Sequence, residues 1–158
     1  IWRMGKPLSH THSTATTEVK LNGKPCSEFL LFSWACAQLG VPTVFLAGDK
    51  MLTEDSQGLH PLLHTVAVKD GFGGATKCLQ PNLACKKIRE MSEKALKQDL
   101  SHAGITLPEE FTFEVSYKEH KNAVSKSFYP GFTLVDSHTI RMVTKNYTDI
   151  LRAVLFCL

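Results

Sequence analysis

The sequence predicts an α/β protein: a parallel-sheet, three-layer domain over residues 1–100, followed by a smaller α+β unit over residues 101–158. Three observations predict it. Short apolar runs rich in β-branched and aromatic residues alternate with segments of helical period, and that strand–helix–strand–helix order gives a parallel sheet with right-handed crossovers. The pattern stops at "SHAGITLPEE", a linker by composition, and restarts beyond it with alternating residues. The 158 residues, 43% hydrophobic and 21% charged, are ordinary globular material for one domain or two small ones.

Each element follows in chain order. Val19, Lys20 and Leu21 enter Asn22-Gly23, a two-residue hairpin signal. Ser27 suits an N-cap, Glu28 suits the positive first turn, and Gly40 suits the C-terminal cap of the helix between them. Phe29, Phe32, Cys36 and Leu39 recur at intervals of three and four, which predicts a mostly buried helix. "PTVFLAGD" reads as a buried parallel strand ending at Gly48-Asp49. A short helix over residues 52–57 and the strand "HTVAVKD" follow, then "GFGG" as a flexible loop. Pro81 opens a helix to about Gln98, with Leu83, Ile88, Met91, Ala95 and Leu96 as its apolar stripe. After the linker, "FTFEVSY" alternates as a strand and "KEHKNAVSKS" is a polar helix. "YPGF" is a turn, "TLVDSHTIRMVT" is one bent strand or a pair, and "NYTDILRAVLFCL" is a closing helix capped by Asn146 or Thr148.

Composition excludes several function classes. The formal charge of +3 is dispersed, which argues against a nucleic-acid partner, and "CKKIR" reads as a solvated helix face. No apolar run reaches the roughly 18 to 20 residues that span a bilayer, so no membrane partner is expected. The five cysteines have no framework spacing and mostly apolar neighbours, which suits reduced thiols in a cytoplasmic protein. No CxxC pair is present, so no cysteine zinc site is expected.

The residues that could carry chemistry are few. "LSHTHS" places His10 and His12 among small polar residues, and Glu28 opens the first buried helix. A first-turn glutamate is either a helix cap or a group facing the ligand side of an open α/β sheet. Asp49 ends a strand, where it binds substrate, supports a metal or caps the next helix. Lys69 ends the following strand at the equivalent edge, and its charge must reach water or a partner. "DGFGG" lacks the spacing of a phosphate-binding loop. His60 and His64 are four apart, but Pro61 between them argues against one continuous helix. "NYT" fits a glycosylation sequon but reads as a helix cap.

In combination, "LSHTHS", "VKLNGKPCSE", "GVPTVFLAGD", "VAVKD", "TKCLQPNLA" and "YPGF" stand in a familiar order. By these motifs the chain resembles the zinc-dependent D-aminopeptidase family of the DppA type, over its carboxy-terminal portion. The resemblance implies a metallo-aminopeptidase or amidohydrolase that cleaves N-terminal peptide or amide bonds, D-amino acid peptides among them, at a two-zinc site. It implies His10 as the catalytic histidine, acid/base or nucleophile, and Glu28 as a carboxylate ligand of one zinc. His12, Asn22, Asp49 and Lys69 are implied as site-supporting. It also implies an upstream half with an Asp-x-Glu strand and two further histidines, which would supply most zinc ligands. No such Asp-x-Glu stands near Ile1, so the chain reads as starting in mid-domain, with a sheet incomplete on its N-terminal side. The missing half, or a second chain, is therefore an expected partner, with a peptide or amide substrate and a homo-oligomeric assembly. The alternative is a non-catalytic structural or assembly subunit that lacks a complete metal site.

Overall fold

A computed structural model describes residues 10–60 and 62–158. Residues 1–9, with the Leu8-Ser9 of the "LSH" motif, lie outside the described residues, as does Pro61, on which the argument against a His60–His64 helix rested. The elements in order are β1 (Thr16–Leu21), β2 (Lys24–Pro25), α1 (Glu28–Gln38), β3 (Phe45–Asp49), α2 (Lys50–Leu59), β4 (His64–Phe72), β5 (Ala75–Cys78), α3 (Pro81–Lys97), β6 (Phe111–Tyr117), α4 (His120–Ser127), β7 (Phe132–Leu134), β8 (Thr139–Thr144) and α5 (Tyr147–Cys157). They form two compact units. One joins residues 10–38 to Leu107–Leu158, and the other spans Leu39–Thr106. This differs from the expected division at residue 100, because β1 finds its partner in β6, across the whole intervening segment.

The first unit is built on a five-stranded sheet in the order β2-β1-β6-β8-β7. Every pairing in it is antiparallel, which corrects the expected parallel sheet for β1. The physical reason is in the alternation. Val19 and Leu21 on β1, Phe111, Phe113, Val115 and Tyr117 on β6, and Ile140 and Met142 on β8 point inward. Glu114 and Arg141, at intervening positions, face the other side and pair there, with Arg141 Nη2 2.8 Å from Glu114 Oε1. A sheet buried on one face and wet on the other is an antiparallel design. The helices cover the inner face with Leu30, Leu31, Ala123, Tyr147, Ile150, Ala153 and Cys157.

Asn22-Gly23 makes the expected tight turn, with φ of 49° and 73°. Both turn residues are left-handed, as a hairpin matched to strand twist requires. The Asn22 side chain also ties the turn to β6, donating from Nδ2 to the Glu110 carbonyl at 2.9 Å and accepting from the Thr112 N–H at 2.7 Å. Tyr147 Oη donates to the Leu31 carbonyl at 2.7 Å, which fastens α5 to α1. Asn146 caps α5 by accepting from the Thr148 N–H.

Helix α1 forms where expected but buries a different face. Leu30, Leu31 and Ser33 are buried, while Phe32 is 51% and Leu39 80% exposed. A helix this apolar all round carries almost no directional pattern, so periodicity alone does not choose the face.

The second unit keeps the predicted parallel pair. β3 runs parallel to β4, from Phe45 opposite His64 to Asp49 opposite Lys69. The expected loop "GFGG" is instead the tip of a hairpin, with Phe72 paired to Ala75 and Gly73 at φ 55°. Strand β5 was not foreseen, because its four exposed residues form an edge with no apolar alternation. Helix α3 starts at Pro81 and is capped by Gln80, whose side chain accepts from the Leu83 N–H. It buries Ala95, half-buries Ile88 and Met91, and leaves Leu83 and Leu96 exposed.

Candidate functional site

The loop before β1 and the start of α1 bring His12 and Glu28 together. Ser27 caps α1, its Oγ accepting from the Leu30 N–H at 3.2 Å. That places Glu28 in the first helical turn, where a negative charge is favoured by the unpaired N–H groups and the helix dipole. Thr11 Oγ1 donates to the Cys26 carbonyl at 2.6 Å and so anchors the loop to the residue before the cap. The Ser13 N–H reaches back to the Thr11 carbonyl at 2.6 Å, a turn closed around His12.

His12 sits at φ 56°, in the left-handed region. Its backbone N–H donates to Glu28 Oε1 at 3.3 Å, and its Nδ1 stands 4.0 Å from the same oxygen. The imidazole packs edge-on against Phe32, one turn further along α1, with ring centroids 5.8 Å apart. The Glu28 side chain is 52% exposed. Beneath the loop the Cys26 thiol is buried, and loss of solvent pushes it up to about 12, so it stays protonated and inert at neutral pH.

The other residues singled out from sequence are placed as follows. His10 is exposed, two residues before His12. Asn22 is held by the β6 backbone through both ends of its amide. In the second unit, Asp49 caps α2, its Oδ1 accepting from the Leu52 N–H at 2.8 Å. Lys69 is exposed on β4, in register with Asp49 at the carboxyl end of β3. Among the described residues no group of three or more His, Cys, Asp or Glu side chains is clustered tightly enough to hold a metal. Sequence reasoning missed Thr11 and the left-handed backbone at His12, for which no sequence signal exists, and it read Phe32 as a buried helix position rather than as a contact of His12.

In class this is a mixed α/β protein that presents an imidazole beside a carboxylate at a helix start. The sequence model of the M55 peptidases, D-aminopeptidase, matches residues 3–156, and the chain belongs to that family. It is 23% identical over 150 residues to the D-aminopeptidase of Bacillus subtilis (strain 168), an alignment that covers 94% of this chain and 55% of that protein. Its fold matches the solved structure of the Zn-dependent D-aminopeptidase DppA from Bacillus subtilis, described as a self-compartmentalizing protease, with a TM-score of 0.86 at 22% identity, over 94% of this chain and 55% of that one. The chain thus spans about half the length of the relatives it matches.

Proposed function

We propose that the chain forms part of a zinc-dependent aminopeptidase or amidohydrolase that cleaves N-terminal peptide or amide bonds, D-amino acid peptides included, at a two-zinc site. The observation that carries this reading is the Glu28 carboxylate at the start of α1, engaged on Oε1 by His12, in a chain of the D-aminopeptidase family. The donor chemistry fits zinc in kind, since carboxylate and imidazole are both zinc ligands. It falls short in number, because no cluster of three donors exists among the described residues. Glu28 would hold one ion, and the remaining ligands would come from outside the described residues, in an upstream segment or a second chain.

When bound, zinc supplies Lewis acidity at the scissile carbonyl and eases deprotonation of the attacking water. The chain's own part is then proton handling and support. His10, exposed on the loop beside His12, is the proposed acid/base or nucleophile, a role imidazole fills near neutral pH. His12, Asn22, Asp49 and Lys69 are proposed as site-supporting. All five cysteines are free, and no helix among the described residues is long and apolar enough to cross a membrane. A cytoplasmic homo-oligomer is the assembly this reading favours.

The test is metal content and turnover of the purified assembly, with its intact mass measured alongside. His10→Ala is expected to abolish turnover and leave bound zinc nearly unchanged; retained turnover would refute its role. Glu28→Ala is expected to lower the zinc stoichiometry, and an unchanged value would leave Glu28 as a helix-terminal charge only. The shortage of donors favours one second reading, a non-catalytic assembly subunit. That reading predicts no zinc in the particle and indifference to chelators.

A further inference from the structure

The two outer strands of the five-stranded sheet are built differently. Strand β2 is only Lys24 and Pro25, a charge and a residue with no backbone N–H, and both blunt an edge against further pairing. Strand β7, Phe132–Leu134 with Val135 after it, carries neither charge nor proline. The Val135 N–H donates to the Thr139 carbonyl at 2.8 Å, on the β8 side. Backbone groups alternate in direction along an antiparallel strand, so the Leu134 N–H and carbonyl point away from β8, to the open side.

Apolar side chains flank the same edge. Leu134 shares a face of β7 with buried Phe132, yet it is 46% exposed because the sheet ends there. Helix α4 packs over β7. Its Lys126 and Tyr129 turn toward α5, with Lys126 Nζ donating to the Phe156 carbonyl and the Tyr129 ring stacked on Phe156. Val124 and Phe128, one turn apart, lie on the other side of α4 and are 42% and 83% exposed. With Val135, 43% exposed, these side chains present roughly 400 Å² of apolar surface, a size at which a patch on a folded protein is often a binding surface.

We propose that this edge is the interface to a second copy of the chain: two β7 strands pair antiparallel about a two-fold axis and join the two sheets, with Val124, Phe128 and Leu134 packed across the seam. This rests on the homo-oligomer reading above and names the surface it uses. A two-fold pairing of like strands is self-complementary, so a second copy offers the same bare N–H, carbonyl and apolar flank that the first one needs. The areas agree as well. Two such patches supply roughly 800 Å² of apolar surface, close to the apolar share of a standard interface of about 1,600 Å².

The test is the mass of the purified protein over a concentration series by analytical ultracentrifugation, with hydrogen exchange of the Leu134 amide followed at both ends of the series. The expected result is a particle that splits to half its mass on dilution, with the Leu134 amide protected before the split and fast after it. Leu134→Lys and Phe128→Ser are each expected to raise the dissociation constant of that step by about tenfold or more. The melting temperature at the dilute end should stay unchanged, and Phe128→Ser, at the more open position, carries the test should Leu134→Lys lower it. Leu155→Lys, at a side chain 79% exposed on α5, is the control and should leave the step as it is. A particle indifferent to both β7-edge variants would overturn the proposal and leave the homo-oligomer reading to another surface. A wild-type chain that is monomeric at every concentration would overturn both. Equal weakening by Leu155→Lys would mean unspecific apolar association, and a Leu134 amide equally fast in both states would mean that no strand pairing forms; either overturns the proposal. So would a different polypeptide in the particle that the two variants release, because the edge would then belong to that partner.

Discussion

At the residue scale, environment separates side chains that look alike in sequence. Cys26 lies against the core and holds its proton up to about 12, while Cys78 and Cys85 are exposed. Alkylation of the folded protein by a neutral thiol reagent should therefore modify Cys78 and Cys85 and spare Cys26, as peptide mapping would read. Modification of Cys26 at a comparable rate would place it in solvent. The same burial sets a pH dependence. Above the ordinary thiol value of 9.0, a solvated Cys26 in the unfolded chain loses its proton while the folded one keeps it up to about 12. The unfolded state then binds fewer protons, so stability falls as pH rises through that range. Burial pushes Tyr117 and Tyr147 upward too, so Cys26→Ala should reduce this slope in urea unfolding rather than remove it. Asn22 makes the complementary case. Asn22→Gly keeps the turn conformation but leaves the Thr112 N–H and the Glu110 carbonyl without their partner, at a cost of about 1–2 kcal/mol by denaturant titration.

At the scale of elements, the sequence was informative wherever a local rule acts alone. Ser27, Asn146 and Pro81 marked helix starts because capping depends on a few adjacent atoms, and Asn22-Gly23 marked its hairpin for the same reason. The parallel β3–β4 pair was legible because its strands are apolar and flank a helix. What failed needed distant information. Nothing within "VKL" says that its partner is "FTFEVSY" rather than "PTVFLAG", and β5 is an edge with no buried face to leave a pattern. For the candidate site, the sequence singles out His10, His12 and Glu28 as residue types suited to the chemistry, while the approach of His12 to Glu28 depends on a backbone conformation that sequence does not encode locally. The α1–α5 contact offers a test of packing at this scale. Tyr147 is buried among Trp34 and Phe111, with centroids 6.0 and 5.0 Å away, and its hydroxyl donates to Leu31. Tyr147→Phe should cost about 1 kcal/mol through the lost bond, and Tyr147→Ala about 3–5 kcal/mol through the cavity. Near-equal losses in the two variants would mean that the ring contributes little.

At the scale of the whole molecule, connectivity decides what can fold alone. The first unit draws β1, β2 and α1 from one end of the sequence and β6 to α5 from the other. Its core is shared between them: Val19, Leu21, Leu30 and Leu31 pack with Phe113, Val115, Ile140 and Ile150. A fragment ending at residue 100, where composition suggested a domain boundary, keeps β1 but loses β6, its central partner. Leu21 and Leu31, fully covered in the intact chain, would then face water beside an unpaired strand edge. Each such side chain forfeits about 1.5–3 kcal/mol of burial, and domains are stable by only about 5–15 kcal/mol in total. In the fragment of residues 1–100 the β1, β2 and α1 segment should therefore stay unfolded, without the native near-ultraviolet signal of Trp34, and the fragment should aggregate. Adding residues 101–158 as a separate chain should restore solubility and the near-ultraviolet signal of Trp34, which packs against Phe111. A native near-ultraviolet signal of Trp34 in the fragment of residues 1–100 alone would mean that β1 and α1 find an alternative core within the first hundred residues, and that the strand order β2-β1-β6-β8-β7 is not what holds this unit together.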